Sequence, residues 1–318
     1  MQNKLVKMIV KRIVQSILVI LIVTLLVFLL MQLVPGDPIA NFLGASASEE
    51  QIAHYTKLFG YDKPVIIQYL KWIQGLFHGE MGRSVILQKE ISEVIFQRLK
   101  VTLSVTLPAF ILAVIVGVTL GIIAAIKRGS AIDSMISFFS NIGMSMPMFW
   151  FGMILILVCG LKLKILPTSG YVPIKEGAGE WFRHLILPMI VLAMGPLAQF
   201  ARQTRSSMLE VIRQDYVTTA RAKGLGQRAI IFKHQLRNAL IPIITIMGVQ
   251  LGGMIGGTVL VESIFVVPGL GNLMITSIQG KDFMVVENGV LIISIAVALC
   301  NLIVDILYGI IDPRIRNA

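Results

Sequence analysis

Residues 13–34 carry no charged side chain and are predominantly apolar. A helix of that length matches the roughly 30 Å hydrocarbon core of a bilayer, so the run reads as a transmembrane helix. Its apolar stretch is longer than that of a cleavable leader and lacks a small-residue cleavage site, which predicts that the helix is retained. Composition points to the same solvent. Of the 318 residues 56% are hydrophobic and 14% charged, and the mean hydropathy is +0.82, more apolar than a soluble domain.

Further apolar runs at about 102–126, 135–161, 185–200, 239–261 and 285–311 predict six spans with both termini on one side. Basic residues choose the side. Lys4, Lys7, Lys11 and Arg12 precede the first span, Lys127 and Arg128 fill the second connection, and Arg314 and Arg316 close the chain. The connection between spans four and five is rich in Lys and Arg, with Glu210 and Asp215 as its acids. By the positive-inside rule these segments face the cytoplasm. The formal charge of +11 is thus spread over inner loops beside the lipid bilayer, which argues against nucleic acid as a partner.

The sizeable extramembrane part is the first outer connection, 35–100. Gly36-Asp37-Pro38 punctuates the end of span one. Ser48-Glu49-Glu50-Gln51 has capping-box form ahead of Ile52, Tyr55 and Leu58, with Gly60 as the stop. A second helix begins near Pro64 and sets Ile66, Tyr69, Leu70, Ile73, Leu76 and Phe77 at helical spacing before Gly79. A third, over 88–100, aligns Ile91, Val94, Ile95 and Leu99. Amphipathic helices of this kind pack in the membrane interface or cap a transport path. The connection's acids and bases are equal in number, so it shows no bias toward a charged ligand.

Enzyme readings find little support. There is no Gly-x-x-x-x-Gly-Lys-[Ser/Thr] loop for ATP and no His-Glu-x-x-His for zinc. His54, His78 and His184 fall on the outer side and His234 in an inner loop, away from any buried serine nucleophile. Cys159 and Cys300 lie singly in apolar spans, without metal-site or redox spacing.

Within the spans, Gly248, Gly252, Gly253, Gly256 and Gly257 mark span five. The four-residue spacing of Gly252 with Gly256, and of Gly253 with Gly257, predicts helix packing inside the chain or across a dimer. Pro188 and Pro196 interrupt span four. Glu262, near the end of span five, is costly unless paired, hydrated or protonated. It either lines a path or satisfies backbone donors, with the structural role favoured. Asp305 is expected to find a local partner.

The most patterned polar segment is the inner connection at about 207–237. It reads Asp215-Tyr216-Val217-Thr218-Thr219-Ala220-Arg221-Ala222-Lys223-Gly224-Leu225-Gly226, then Lys233-His234 and Arg237-Asn238-Ala239-Leu240-Ile241-Pro242. Small residues allow close approach, Arg221 and Lys223 can reach acidic or carbonyl groups, and Gly224 and Gly226 permit a sharp turn. This segment resembles the coupling loop of ABC importer permeases. The general signature there is Glu-Ala-Ala, three residues and Gly, ending in an apolar residue and Leu-Pro. Here Thr218-Thr219-Ala220 replaces Glu-Ala-Ala and Gly224 holds the glycine place. His234 takes the apolar position, Leu236 matches, and Arg237 replaces the proline. Those departures, with Ala-Arg-Ala-Lys-Gly, look like the oligopeptide, dipeptide and nickel branch. Pro35-Gly36-Asp37-Pro38, Val261-Glu262-Ser263-Ile264-Phe265 and Pro268-Gly269-Leu270-Gly271 are similar to that branch's external-edge motifs.

The resemblance implies an all-α membrane protein with a type I ABC importer-like transmembrane domain. Residues 1–34 would form the inner segment and first helix, 35–100 an external helical insertion, 101–311 the permease core and 312–318 a tail, both termini cytoplasmic in a bacterial plasma membrane. It implies a non-catalytic permease subunit carrying peptides, with nickel or a nickel chelate as second choice. The implied partners are a second homologous permease, two ATPase subunits holding ATP and Mg, and an extracytoplasmic solute-binding protein. No cofactor is expected on this chain. Asp215, Tyr216, Thr219, Ala220, Arg221, Ala222, Lys223, Gly224, Leu225 and Gly226 would couple to the ATPase. The alternative is an ion-coupled secondary transporter, which predicts inverted repeats and ionisable groups near the membrane midplane. The sequence shows no convincing repeat, and its intramembrane acids sit near span ends.

Overall fold

The computed structural model describes residues 2–34, 39, 43–44, 47–84 and 86–311. The Gly36-Asp37-Pro38 turn and the basic tail with Arg314 and Arg316 lie outside these. Among the described residues the fold is helical, and its one extended pairing is an isolated bridge between Arg83 and Glu90.

Five helices are long and apolar enough to cross a membrane. They are α1 (Gln2–Gln32), α4 (Ile91–Ile126), α7 (Ala178–Ile212), α9 (Leu236–Ile264) and α11 (Phe283–Ile311). A sixth span is met only by a broken pair, α5 (Ala131–Ser145) and α6 (Met148–Leu155), the latter winding on as a π-helical turn over Ile156–Lys162. The two halves meet at 106°. Residues 135–161 are therefore not the single straight helix expected of them. Pro147 excludes Met146 from helical geometry, and Met146 is extended, with φ −77 and ψ 125.

Two other expectations change. The helix foreseen over 88–100 is not separate, because its residues from Ile91 onward form the first turns of α4. Span four is far longer than 185–200. Helix α7 runs through Pro188 and Pro196 and on to Ile212. It accommodates Arg205 by pairing it with Asp133 of α5, with Nε–Oδ1 at 2.5 Å and Nη2–Oδ2 at 2.8 Å. A charge on a membrane helix is tolerated when it is held in this way.

The insertion folds as its local signals require. Helix α2 (Glu49–Phe59) starts at a capping box of Ser48 and Gln51 and stops at Gly60, while α3 (Val65–Phe77) follows Pro64. Tyr69 of α3 packs edge-on against Phe28 of α1 at 5.4 Å and shares a 3.1 Å hydrogen bond with Thr24. A clasp formed by residues 81–84 and 86–90 grips the start of α11. Ser84 Oγ donates to Asp282 at 2.5 Å, and Asn288 Nδ2 donates to the Met81 carbonyl at 3.0 Å.

A close helix crossing joins α4 to α7. A Cβ on Gly117 would stand 2.6 Å from the Leu197 carbonyl oxygen, and one on Gly121 would stand 2.5 Å from that of Ala201. Gly117 and Gly121 are four apart, the spacing that lets two helix backbones approach closely. In α9, Gly248 and Gly252 face Val304 and Val297 of α11, whereas among the described residues no atom of another helix lies within 4 Å of a Cβ built on Gly253, Gly256 or Gly257. Val249 and Leu260, on the same side, are exposed.

Helices α9 and α11 run antiparallel, so the start of α9 and the end of α11 share one end of the bundle. Arg12 of α1 reaches that end, with Nε 3.2 Å from Asp305 Oδ2. The ends of α4 and α7 join it there, since Ala125, Met208, Ile231 and Ala239 form one buried cluster.

Candidate functional site

At this basic end the chain leaves α7 and forms a two-turn helix, α8 (Asp215–Ala222). Val217 and Ala220, three residues apart, are buried against Ile230 and Val211. The rest of α8 faces outward, with Tyr216, Thr219, Arg221 and Ala222 exposed, as is Lys223 just past its end. One face is therefore clamped to the bundle and the other is free. Thr219 Oγ1 donates to the Asp215 carbonyl at 3.0 Å, leaving that outer surface locally satisfied.

Helix α8 stops at Gly224, whose φ is +72. This left-handed turn lets the Gly224 N–H reach the Arg221 carbonyl at 2.9 Å and the Leu225 N–H reach that of Ala220 at 3.3 Å, capping the last carbonyls. Gly226 differs. It is extended, with φ −62 and ψ 146, a geometry open to most residues.

Beyond it, Ile230–Gln235 winds as a π-helical turn into α9. Such turns insert an extra residue into the helical ladder and recur at functional places. Nothing in the local sequence announces this one. A second link was also missed: Asn238 Nδ2, in the first turn of α9, donates to the Tyr216 hydroxyl at 2.8 Å. Asn238 stands in the Arg-Asn-Ala run, and only the fold shows what it meets. Arg221 lines a cavity of about 230 Å³ with Arg128 and Arg213.

At the opposite end Glu262 is fully buried. Its Oε1 accepts from Thr102 at 2.6 Å and its Oε2 from the Asn272 N–H at 2.9 Å. Asn272 is in the first turn of α10 (Leu270–Gly280), where unpaired N–H groups favour an anion. Gly269 and Gly271 pack so closely on Glu262 and Val259 that a Cβ at either would collide. The Pro-Gly-Leu-Gly run thus seats α10 on a carboxylate.

Between α4, α5 and α7 lies an apolar cleft of about 690 Å³ lined by Leu120, Met135, Phe139, Met146, Met194 and Leu197 among others. Among the described residues no three His, Cys, Asp or Glu side chains are grouped to hold a metal.

The family described as binding-protein-dependent transport system inner membrane component matches residues 117–317. Its N-terminal companion matches residues 5–106. A di/tripeptide transport system permease protein of Pseudomonas aeruginosa is 40% identical over 308 residues, covering 90% of this chain and 92% of that one. An oligopeptide transport system permease protein of Bacillus subtilis is 41% identical over 289 residues, covering 90% and 92%. In fold, the chain is similar to a protein in the inward-facing MetNI methionine ABC transporter, with a TM-score of 0.57 at 18% identity, covering 70% of this chain and 97% of that one. The helical core, the N-terminal segment and relatives of matching length agree, and the chain belongs to the inner membrane components of binding-protein-dependent transport systems, as an ABC importer permease of the peptide/dipeptide family.

Proposed function

We propose that this chain is one of two permease subunits in an ATP-driven importer, that it forms half of the path for short peptides, and that α8 is its contact with an ATPase. The observation that carries the reading is the two-sided geometry of α8. Val217 and Ala220 fix its inner face, while its outer face is free to fill a groove. A lever of this kind transmits motion only if it is rigid and tied to a transmembrane helix. The Tyr216–Asn238 hydrogen bond supplies that tie to α9.

The basic end is cytoplasmic on this reading, and the insertion that contains α2 and α3 faces the solute-binding protein. Closure of two ATP-holding, Mg-dependent ATPase subunits would draw the two coupling helices together and turn the path outward; hydrolysis would reset it. The unfilled side of α9 at Gly253, Gly256 and Gly257 suits a second, homologous permease. Peptide as cargo follows from the relatives named as di/tripeptide and oligopeptide permeases.

The test is uptake by proteoliposomes holding this chain, its second permease and the ATPases, supplied with the loaded binding protein. A labelled dipeptide should accumulate only with ATP. Uptake of nickel or its chelate without dipeptide uptake would reassign the cargo. Transport driven by an ion gradient with the ATPases omitted would replace the whole reading with the ion-coupled one.

A further inference from the structure

Glu287 has a buried carboxyl group that makes no ion pair and no hydrogen bond among the described residues. It is 6% exposed and sits in the second turn of α11, one turn inside the end of the span. A carboxyl group at that depth, open only to a cavity, can accept a hydrogen bond or a positive charge from whatever fills the cavity. Glu287 lines a cavity of about 290 Å³ roofed by α2 and α3 and walled by α1, close to the lower size of small-ligand pockets at about 300 Å³.

The other lining groups supply the complementary chemistry. Lys57, Lys63 and Lys71 stand around the cavity, against Glu80 as the second acid. The pKa of Lys71 lies below the usual lysine range, first through the neighbouring Lys63, with Asp62 opposing the shift. An anion placed between the two lysines would relieve the repulsion that Lys63 exerts on Lys71. Phe28 and Trp72 form an aromatic wall, and the Trp72 Nε1–H is buried without an acceptor. The cavity therefore offers one buried acceptor of positive charge, paired cations nearer its mouth, a spare N–H donor and an aromatic surface.

We infer that this cavity binds a small zwitterion, with a primary ammonium on Glu287 and an acidic group on Lys63 and Lys71. A free dipeptide carries both groups, and so does a phosphatidylethanolamine headgroup. The dipeptide as natural source rests on the proposed function; the chemistry of the cavity does not. The site would hold substrate beside the helices of the path, under the insertion that faces the binding protein.

Trp72 provides the readout, since the chain has three tryptophans. With Trp150→Phe and Trp181→Phe, the full chain in phosphatidylcholine nanodiscs should show a saturable change in Trp72 emission on adding alanyl-alanine. N-acetylation of the dipeptide should weaken binding about tenfold, as expected for loss of one charge-assisted hydrogen bond. Glu287→Gln should do the same while keeping the shape of the side chain. Lys63→Gln/Lys71→Gln, on the outer part of the cavity and harmless to the fold, should weaken alanyl-alanine but not its C-terminal amide. A change produced by phosphatidylethanolamine in the disc, with nothing added by dipeptide, supports the same site with lipid as its source. No response to either ligand, or equal responses in the Glu287→Gln and wild-type proteins, overturns the inference. Binding is read without an ATPase, so its failure leaves the coupling assignment intact, and failed ATP-driven uptake leaves the pocket intact.

Discussion

Thr102 of α4 and Glu262 of α9, 160 positions apart, share a 2.6 Å hydrogen bond, and the same Thr102 hydroxyl accepts from the Leu270 N–H at 2.8 Å. One side chain thus joins three helices. Thr102→Val keeps the shape but leaves Glu262 Oε1 and the Leu270 N–H without this partner in a buried place. The expected cost is about 1–3 kcal/mol, read as a lower thermal midpoint in detergent, whereas Thr119→Val at an exposed site should be silent. Equal midpoints for the two variants would remove the node.

The glycines of α4 and α9 are predicted to fail in different ways. Gly121→Val drives side-chain atoms into the backbone of α7 and should lower the yield of folded chain. A Cβ on Gly256 meets nothing within 4 Å among the described residues, so with Gly256→Leu the isolated subunit should fold normally and fail only when its second permease is added. Size-exclusion profiles of the subunit alone and of the pair separate these outcomes. Normal pairing by Gly256→Leu would free that face of the role.

What the sequence disclosed divides along the range of the forces involved. Ser48 and Gln51 could be read because a capping box is closed within three residues, and α8 because its turn chemistry is equally local. The bend at Pro147 was present as a proline signal, yet hydropathy summed over 135–161 smoothed across it. Periodicity placed Ile91, Val94, Ile95 and Leu99 on one helical face but could not show that the helix continues as α4. The partners of Glu262, the Tyr216–Asn238 bond and the π-helical turn depend on residues brought together by folding, and no spacing encodes them. Glycine spacing is a signal in both spans: Gly117 and Gly121 have the same interval as the pairs in α9, and only the fold shows that theirs meets the backbone of α7.

Orientation gives a third expectation. A small tag at Gly226 should label from the cytoplasm and one at Gly60 from outside, since they lie at opposite ends of the bundle and the Lys and Arg residues cluster with the first. Labelling of both from one side would undo the six-span arrangement.

The link between α8 and α9 is open to a substitution of one atom. Tyr216→Phe removes the hydroxyl that accepts from Asn238 Nδ2 and leaves the ring. Helix α8 should remain folded on Val217 and Ala220, so ATPase subunits should still bind. Transport per ATP hydrolysed should fall, because the lever has lost its tie to the membrane helix. Reconstituted complexes give both rates. An unchanged ratio would mean that force passes through the π-helical turn instead.

Gly224 and Gly226 form an internal control for the coupling assignment, since a Cβ at either meets no other atom within 4 Å and only the backbone differs. At Gly224, φ is +72, where a β-branched residue costs about 1–2 kcal/mol or more. Gly224→Val should therefore open the cap, release the Arg221 and Ala220 carbonyls and misplace the exposed face of α8. At Gly226, φ is −62 and valine fits without strain. If α8 is the ATPase contact, Gly224→Val should insert normally and still accept substrate from the binding protein, yet lose ATPase association and uptake together. Gly226→Val should retain far more of both. The same sharp loss in both variants would point to crowding against the docked ATPase and away from cap geometry. Wild-type association and uptake in Gly224→Val would show that the order of α8 does not matter for coupling, and the assignment of this helix would fall.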